Sequence, residues 1–384
     1  MLSVRLIPYI IVAIIFSYNP PWPIFGFSSE IGMMLSLLLL LGIKKKKSHP
    51  LFPKHYFSLI LLVIFFIITH LFSGLSYSYF IYISIFYYCY KYLSDEDGRR
   101  VILWTTRILS VVLGISLVAW LIHNNLLTFP CWEYIDISEG KGAETIMGNY
   151  LFFVQNENAL GLVNRFYSIF DEPGVVGTLS AFILFANKYD FKNNKQLIVI
   201  MFAAFFTFSL AFYVLTIIGY TYFLLKDRKI NFLKLVFISI ILLVFIAFVV
   251  QTEEFNLIIK YRFEEGLGSS LENRTADNIN EFYEKEMWSM DWLIGLGKSG
   301  MLTKGLLEGS SYKVFVLREG FFALLSLIFA YYSMIRKRSL NIIAFFILFW
   351  LSFLQRPSAM NAGFIMIFAT CIAYLRSNVY TANQ

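Results

Sequence analysis

Charge is what this chain has little of: Asp, Glu, Lys and Arg make up 15% of its 384 residues, against roughly 25% in ordinary soluble domains. A water-exposed globule cannot be solvated with so little polar surface, which excludes a soluble enzyme carrying a membrane anchor. Cysteine is nearly absent too. Cys89, Cys131 and Cys371 fall in separate regions without metal-ligand spacing, which argues against a disulfide framework and a zinc site. No carboxylate cluster has the spacing of a dedicated cation site, so no metal is expected. The sequence also lacks an internal repeat of about 20 to 50 residues, a low-complexity tract and a soluble domain.

What is abundant is apolar and aromatic side chain, 58% and 19% of the residues. Apolar runs of about 17 to 25 residues recur from end to end, each able to cross roughly 30 Å of hydrocarbon as a helix that satisfies its own backbone. The fold class expected is all-α: a polytopic transmembrane helical bundle forming a single integral membrane domain over 1–384. The formal net charge of +7 sits in short connectors between apolar runs, so it reports topology and not nucleic acid.

The expected spans lie at about 4–18, 24–43, 56–73, 77–93 and 101–123. The first has a basic flank but no small-residue cleavage site, so it reads as a span and not a removed signal. Lys44 to Lys47 mark the inside and place the amino terminus there. Residues 124–170 then form a first large outer loop, and a sixth span runs from Pro173 to about Tyr189. The stretch 197–225 has inside markers at both ends (Lys192 and Lys195, then Lys226, Arg228, Lys229 and Lys234), which requires an even number of crossings. A hairpin of two short helices with its apex at Thr207-Phe208-Ser209 meets that requirement, with arms of only about 20 Å in a thinned bilayer or water-filled vestibule. A span at 233–251, a second large outer loop at 252–311 rich in acidic residues, and spans at 313–334, 340–355 and 361–376 complete about twelve crossings, with both termini inside.

Loops much longer than about 12 to 15 residues are usually functional or disordered, so chemistry is sought in 124–170 and 252–311. The first ends in Asn164-Arg165-Phe166-Tyr167-Ser168-Ile169-Phe170-Asp171-Glu172-Pro173-Gly174-Val175-Val176-Gly177-Thr178. Pro173 suits a first helical turn, and Asp171 or Glu172 can complement the dipole there; capping alone accounts for the carboxylates equally well. A cation so close to a helix amino terminus makes an anion site: Arg165 grips a phosphate, while Glu172 orients Arg165 or takes a proton from an acceptor hydroxyl.

The run from Arg165 to Thr178 resembles the signature of Wzy-type polysaccharide polymerases, which join lipid-linked oligosaccharide repeats into O-antigen or capsule on the outer face of the bacterial cytoplasmic membrane. Thr207-Phe208-Ser209, Gly295-Leu296-Gly297, Gly309-Ser310-Ser311-Tyr312-Lys313, the span count and the two outer loops support the likeness, whose specificity rests on the first run. The resemblance implies a membrane-embedded glycosyltransferase. It moves a growing glycan from undecaprenyl pyrophosphate to a sugar hydroxyl of a new undecaprenyl-linked repeat, with lipid-linked donor and acceptor as partners and chain length set with a co-polymerase. The donor arrives activated, so no cofactor is expected. Arg165, Arg262 and Arg274 would stabilise the departing pyrophosphate, and Tyr167, Asp171, Ser311, Tyr312, Lys313 and Arg318 would line the substrate path.

Each assignment has a plainer counterpart. Arg262 and Arg274 sit among Glu264, Glu265 and Glu272 and can form salt bridges; Arg318 beside Glu319 can snorkel; Ser311, Tyr312 and Lys313 can sit at the interface; Trp288 and Trp292 fit interface anchors. Gly295 to Gly300 matches GxGxxG formally, without the strand and helix that a dinucleotide site needs. Two other functions stay open. The related O-antigen ligases carry a histidine in their large outer loop, and His49, His55, His70 and His123 all fall outside both loops here. A lipid-linked oligosaccharide flippase or other transporter would place charges within its spans and keep outer loops short.

Overall fold

The computed structural model describes residues 77–136, 146–157, 165–170, 172–226, 277–306, 311–335 and 339–381, with a few positions between 59 and 67. Helix dominates them, at 72%.

After helical positions between 59 and 67, the described chain enters helices α1 (Tyr77–Tyr92) and α2 (Asp95–Asn125). Ser94 caps α2 by accepting the Asp97 N–H at 3.1 Å, and Asp95, Glu96 and Asp97 complement the dipole of its first turn. The helix therefore begins inside the acidic cluster, ahead of the apolar run at 101, because a capped first turn accommodates carboxylates.

The first large loop holds a three-stranded antiparallel sheet of β1 (Glu133–Asp136), β2 (Ile146–Asn149) and β3 (Val154–Asn156), with Tyr134 opposite Gly148 and Gly148 opposite Gln155. The all-α expectation is thus amended by a small sheet, whose strands of three or four residues are too short for alternation to show in sequence. The sheet hangs on α2 through the Ser116 hydroxyl, which donates to the Phe152 carbonyl at 2.6 Å and accepts from Ser168 at 3.0 Å.

Helix α3 (Pro173–Ala186) is central among the described elements, with every residue buried. A helix apolar on all sides must be enclosed on all sides, and α3 packs against α4 (Gln196–Phe205), α5 (Leu210–Lys226), α11 (Leu340–Gln355) and α12 (Ala362–Thr381). The break between α4 and α5 falls where the sequence places the hairpin apex, and Phe208 turns it with φ +47°. Phe166 N–H donates to the Phe206 carbonyl at 3.0 Å, so α4 climbs back beside the start of α3. Gly177 lies against Ser209 and Phe212, and Gly219 against Phe185 and Tyr189, so α5 descends alongside α3. The chain reverses at the apex, and the two arms embrace α3 more than each other.

In the second large loop, α6 (Asp277–Glu286), α7 (Met290–Ile294) and α8 (Gly297–Thr303) pack with α9 (Tyr312–Glu319) around a separate small core that includes Ile279, Trp292, Met301 and Leu317. Gly320 separates α9 from α10 (Phe321–Ser333), and the two helices meet at 109°. Gly295 (φ +94°) and Gly320 (φ +93°) cross backbone to backbone, a Cβ on Gly295 lying 2.6 Å from the Arg318 carbonyl oxygen. Gly295-Leu296-Gly297 is thus part of a tight crossing, pinned by the Leu296 N–H to Leu317 carbonyl bond at 2.8 Å.

The bundle has two chemically distinct ends. At one, Asp95 pairs with Arg376 at 2.9 Å, Asn187 donates to Thr106 at 3.3 Å, and Tyr222 and Lys226 both donate to Asn341. Those groups come from the segments that the sequence assigns to the inside. At the other end lie the sheet, the apex of α4 and α5, and the start of α3.

Apolar side chains are also turned outward. On α2, Val111, Ile115 and Val118 are 58%, 52% and 58% exposed, spaced along one helical face. Burial of one such side chain is worth roughly 1.5–3 kcal/mol, so a row of them facing water would be a standing cost. Phe202, Ile217, Phe329 and Ile347 continue the apolar exterior on α4, α5, α10 and α11. Among the described residues, α2 alone is long and apolar enough to cross a membrane, or two segments pass if the bent pair α9 and α10 counts as one. The remaining apolar helical stretches are shorter, 10–17 residues, Ala362–Ser377 of α12 among them, so the expected spans at 173–189, 340–355 and 361–376 take the form of short packed helices.

Candidate functional site

The start of α3 gathers the chemistry. Arg165 reaches from the end of the first loop to the apex, where its Nε donates to the Thr207 carbonyl at 2.9 Å and its Nη2 to the Phe208 carbonyl at 3.1 Å. These carbonyls follow the last turn of α4, where the helix leaves acceptors without intrahelical partners and a cation is favoured by the dipole. Arg165 therefore holds the reversal closed with one edge of its guanidinium. Tyr213, one turn into α5, lies within electrostatic reach of it and donates its hydroxyl to the Phe205 carbonyl at 2.7 Å. Trp120 walls the site at 5.8 Å from Phe166 and 5.9 Å from Phe206.

Glu172 is the N-cap residue of α3, followed by Pro173 at the first helical position, and its side chain makes no cap bond. The carboxylate instead meets Arg356, whose Nη2 donates to Oε2. This ion pair joins the start of α3 to the end of α11. Arg356 was missed in sequence. It is the one charged residue between the spans expected at 340–355 and 361–376, on a connector that the sequence expects on the outer side, where the positive-inside bias leaves few cations, and that anomaly is the signal available.

The other expected site residues divide. Ser311 is buried and precedes α9 as its N-cap, without a side-chain cap bond. Tyr312 packs against the main core and lies 6.1 Å from Tyr283. Lys313 turns to α6, donating to Asn280 at 2.9 Å with its ammonium over the Tyr283 ring. Arg318, 41% exposed, pairs with the buried Glu319 at 2.8 Å beside the glycine crossing. Tyr167 is half-buried, its carbonyl accepting from the Phe170 N–H at 3.1 Å. Asp171, Arg262 and Arg274 lie outside the described residues. Phe315 meets Phe353 edge-on at 5.2 Å, which joins α9 to the last turns of α11 below Arg356.

One histidine has a place that the sequence did not reveal. His123, in the last turn of α2, lies 4.3 Å from the Tyr150 ring, and its Nδ1 accepts the Phe129 N–H at 2.9 Å. Tyr150 in turn donates to Glu157 at 2.7 Å. Burial, then the Glu157 bond and charge, raise the Tyr150 pKa above the usual phenol range.

No protein-family model, no curated protein and no solved structure matches this chain. What the fold and site define is a helical protein whose described part has an apolar exterior and, at one end, two guanidinium groups and a carboxylate delivered by two segments distant in sequence.

Proposed function

We propose that the protein is a multi-pass membrane glycosyltransferase of the Wzy-type polymerase kind, resident in the bacterial cytoplasmic membrane with its site facing the periplasm. The observation that carries this reading is that Arg165 sits on the apex carbonyls of a broken helix pair while an Arg356–Glu172 ion pair sits on the start of α3, at the same end of the described bundle. Outward apolar faces on several helices support a lipid surround. About twelve crossings remain the count proposed from the apolar runs of the sequence, and the short arms α4 and α5 are consistent with a hairpin among them.

The chemistry follows from the charges. A sugar hydroxyl of the incoming lipid-linked repeat attacks the anomeric carbon of the growing chain, forming a new glycosidic C–O bond. The bond from that carbon to pyrophosphate breaks, and undecaprenyl pyrophosphate leaves with the electron pair. The hydroxyl proton passes to solvent or to the leaving phosphate. Negative charge grows on the departing oxygen, and a fixed guanidinium stabilises it more in the transition state than in the ground state. Arg165 is held by the apex carbonyls in a geometry suited to that task.

Reconstituted full-length protein supplied with an undecaprenyl-pyrophosphate-linked repeat tests the reading. Products of increasing repeat number are expected from the wild type. A single unextended repeat at every time, from protein that is folded and correctly inserted, would contradict it.

A further inference from the structure

Arg356 is built into a rigid position. It ends α11 in extended backbone, φ −143° and ψ 96°, as the following Pro357 demands. The connector behind it is fixed. Ser358 N–H donates to the Arg356 carbonyl at 2.7 Å and Asn361 N–H to the Ser358 carbonyl at 2.8 Å, while Asn361 Oδ1 accepts the Gly363 N–H at 2.8 Å. The fully buried Tyr331 donates its hydroxyl to the Ala359 carbonyl. A guanidinium on such a mount loses little freedom when it binds something.

The side chain is 11% exposed, yet among the described residues its hydrogen bonding consists of Nη2 on Glu172. A guanidinium is a planar fork that pairs best through two parallel bonds, and none of the Arg356 nitrogens is among the fully buried donors left without a partner, so its remaining donors face the opening. Glu172, 30% exposed, shows that the pair stands at an opening. Two guanidinium groups, Arg165 and Arg356, flank the end of α3 against the single described carboxylate of Glu172.

We infer that Arg356 is a second phosphate-binding residue of this site, gripping the diphosphate of the lipid-linked substrate with its Nε and Nη1 while Glu172 acts as its positioning carboxylate. The identity of the anion rests on the polymerase reading; the geometry does not. Arg165 and Arg356 reach the anion from opposite segments, so the diphosphate is clasped between the apex of α4 and α5 and the end of α11. Glu172 holds the Nη2 corner and is not needed as a general base.

The test uses the full chain in nanodiscs, with inorganic pyrophosphate as soluble probe and phosphatidylglycerol vesicles as a competing phosphodiester surface. Arg356→Gln should weaken pyrophosphate binding by about tenfold or more, the loss of a charge-assisted contact, with Arg356→Lys in between. Arg356→Gln should also raise the KM for lipid-linked donor, and Glu172→Gln should leave measurable turnover. Competition by the vesicles as strong as that by pyrophosphate would assign the site to bulk phospholipid and overturn the inference. So would equal melting-temperature losses in Arg356→Gln and Glu172→Gln with pyrophosphate affinity unchanged, the behaviour of a structural staple. If Arg356→Gln does not fold, Arg356→Lys decides: unchanged affinity and KM overturn the proposal. Pyrophosphate binding that depends on Arg356 in a protein that never polymerises would sink the polymerase reading alone. Polymerisation with affinity indifferent to Arg356 would sink this inference alone.

Discussion

Residue identity sets the chemistry at the outer end of α3. Arg165 makes two bonds to carbonyls from two different atoms of one planar group, which an ammonium on a flexible stem cannot reproduce. Arg165→Ala is expected to abolish polymerisation, and Arg165→Lys to retain little of it, with membrane insertion normal in both; repeat-length analysis beside an insertion assay checks this. Tyr150 offers a pH test. Its pKa is raised in the folded protein, so the stability it lends the sheet is fully present below the ordinary phenol range and is lost as pH rises through the raised value. The protection of β2 and β3 amides, corrected for the base-catalysed rise in intrinsic exchange, should hold across about pH 9 to 10, where a free tyrosine begins to ionise. A fall in protection there would show that the Glu157 bond does not hold. At this scale the sequence was half legible. Arg165 and Glu172 stood out because they adjoin a proline-started helix, but Arg356 is 184 residues from its partner, and no local pattern joins them.

Elements were legible where apolar length and breaks are local properties. The α4 and α5 arms and their apex follow from charges at both ends of a run too long for one span. The sheet was invisible, its strands being short, and the helical cap of α6 to α9 was hidden because its amphipathic turns are interrupted by Gly295, Gly297 and Gly320. Packing between elements depends on which small residue faces which neighbour. A Cβ at Gly177 would lie 2.9 Å from both Ser209 and Phe212, so Gly177→Val should push α5 off α3, cost about 1–3 kcal/mol and disturb the carbonyls that anchor Arg165. A thermal melt indistinguishable from the wild type would contradict that contact. Gly320→Ala should also destabilise, by about 1–3 kcal/mol for a strained positive-φ residue, with the crossing at Gly295 giving way first in limited proteolysis.

At the scale of the whole molecule, the claim is one of orientation. Groups that the sequence assigns to the inside meet at one end, as Asp95 and Arg376 do at 2.9 Å, and the site lies at the other. Lys44 to Lys47 lie outside the described residues, but their replacement by Ala should disturb insertion orientation and leave the chemistry of correctly oriented molecules unchanged, as read by accessibility mapping of both ends; correctly oriented but inactive protein would contradict that. The central claim, polymerisation of lipid-linked repeats, is tested most directly by a gel of surface polysaccharide from cells lacking the protein, beside cells complemented with wild type or Arg165→Ala. A single repeat on lipid core in the deletion, with the ladder restored by wild type alone, is the predicted result. Loss of all core-attached glycan, with polymer accumulating on the lipid carrier, would contradict it and identify a ligase.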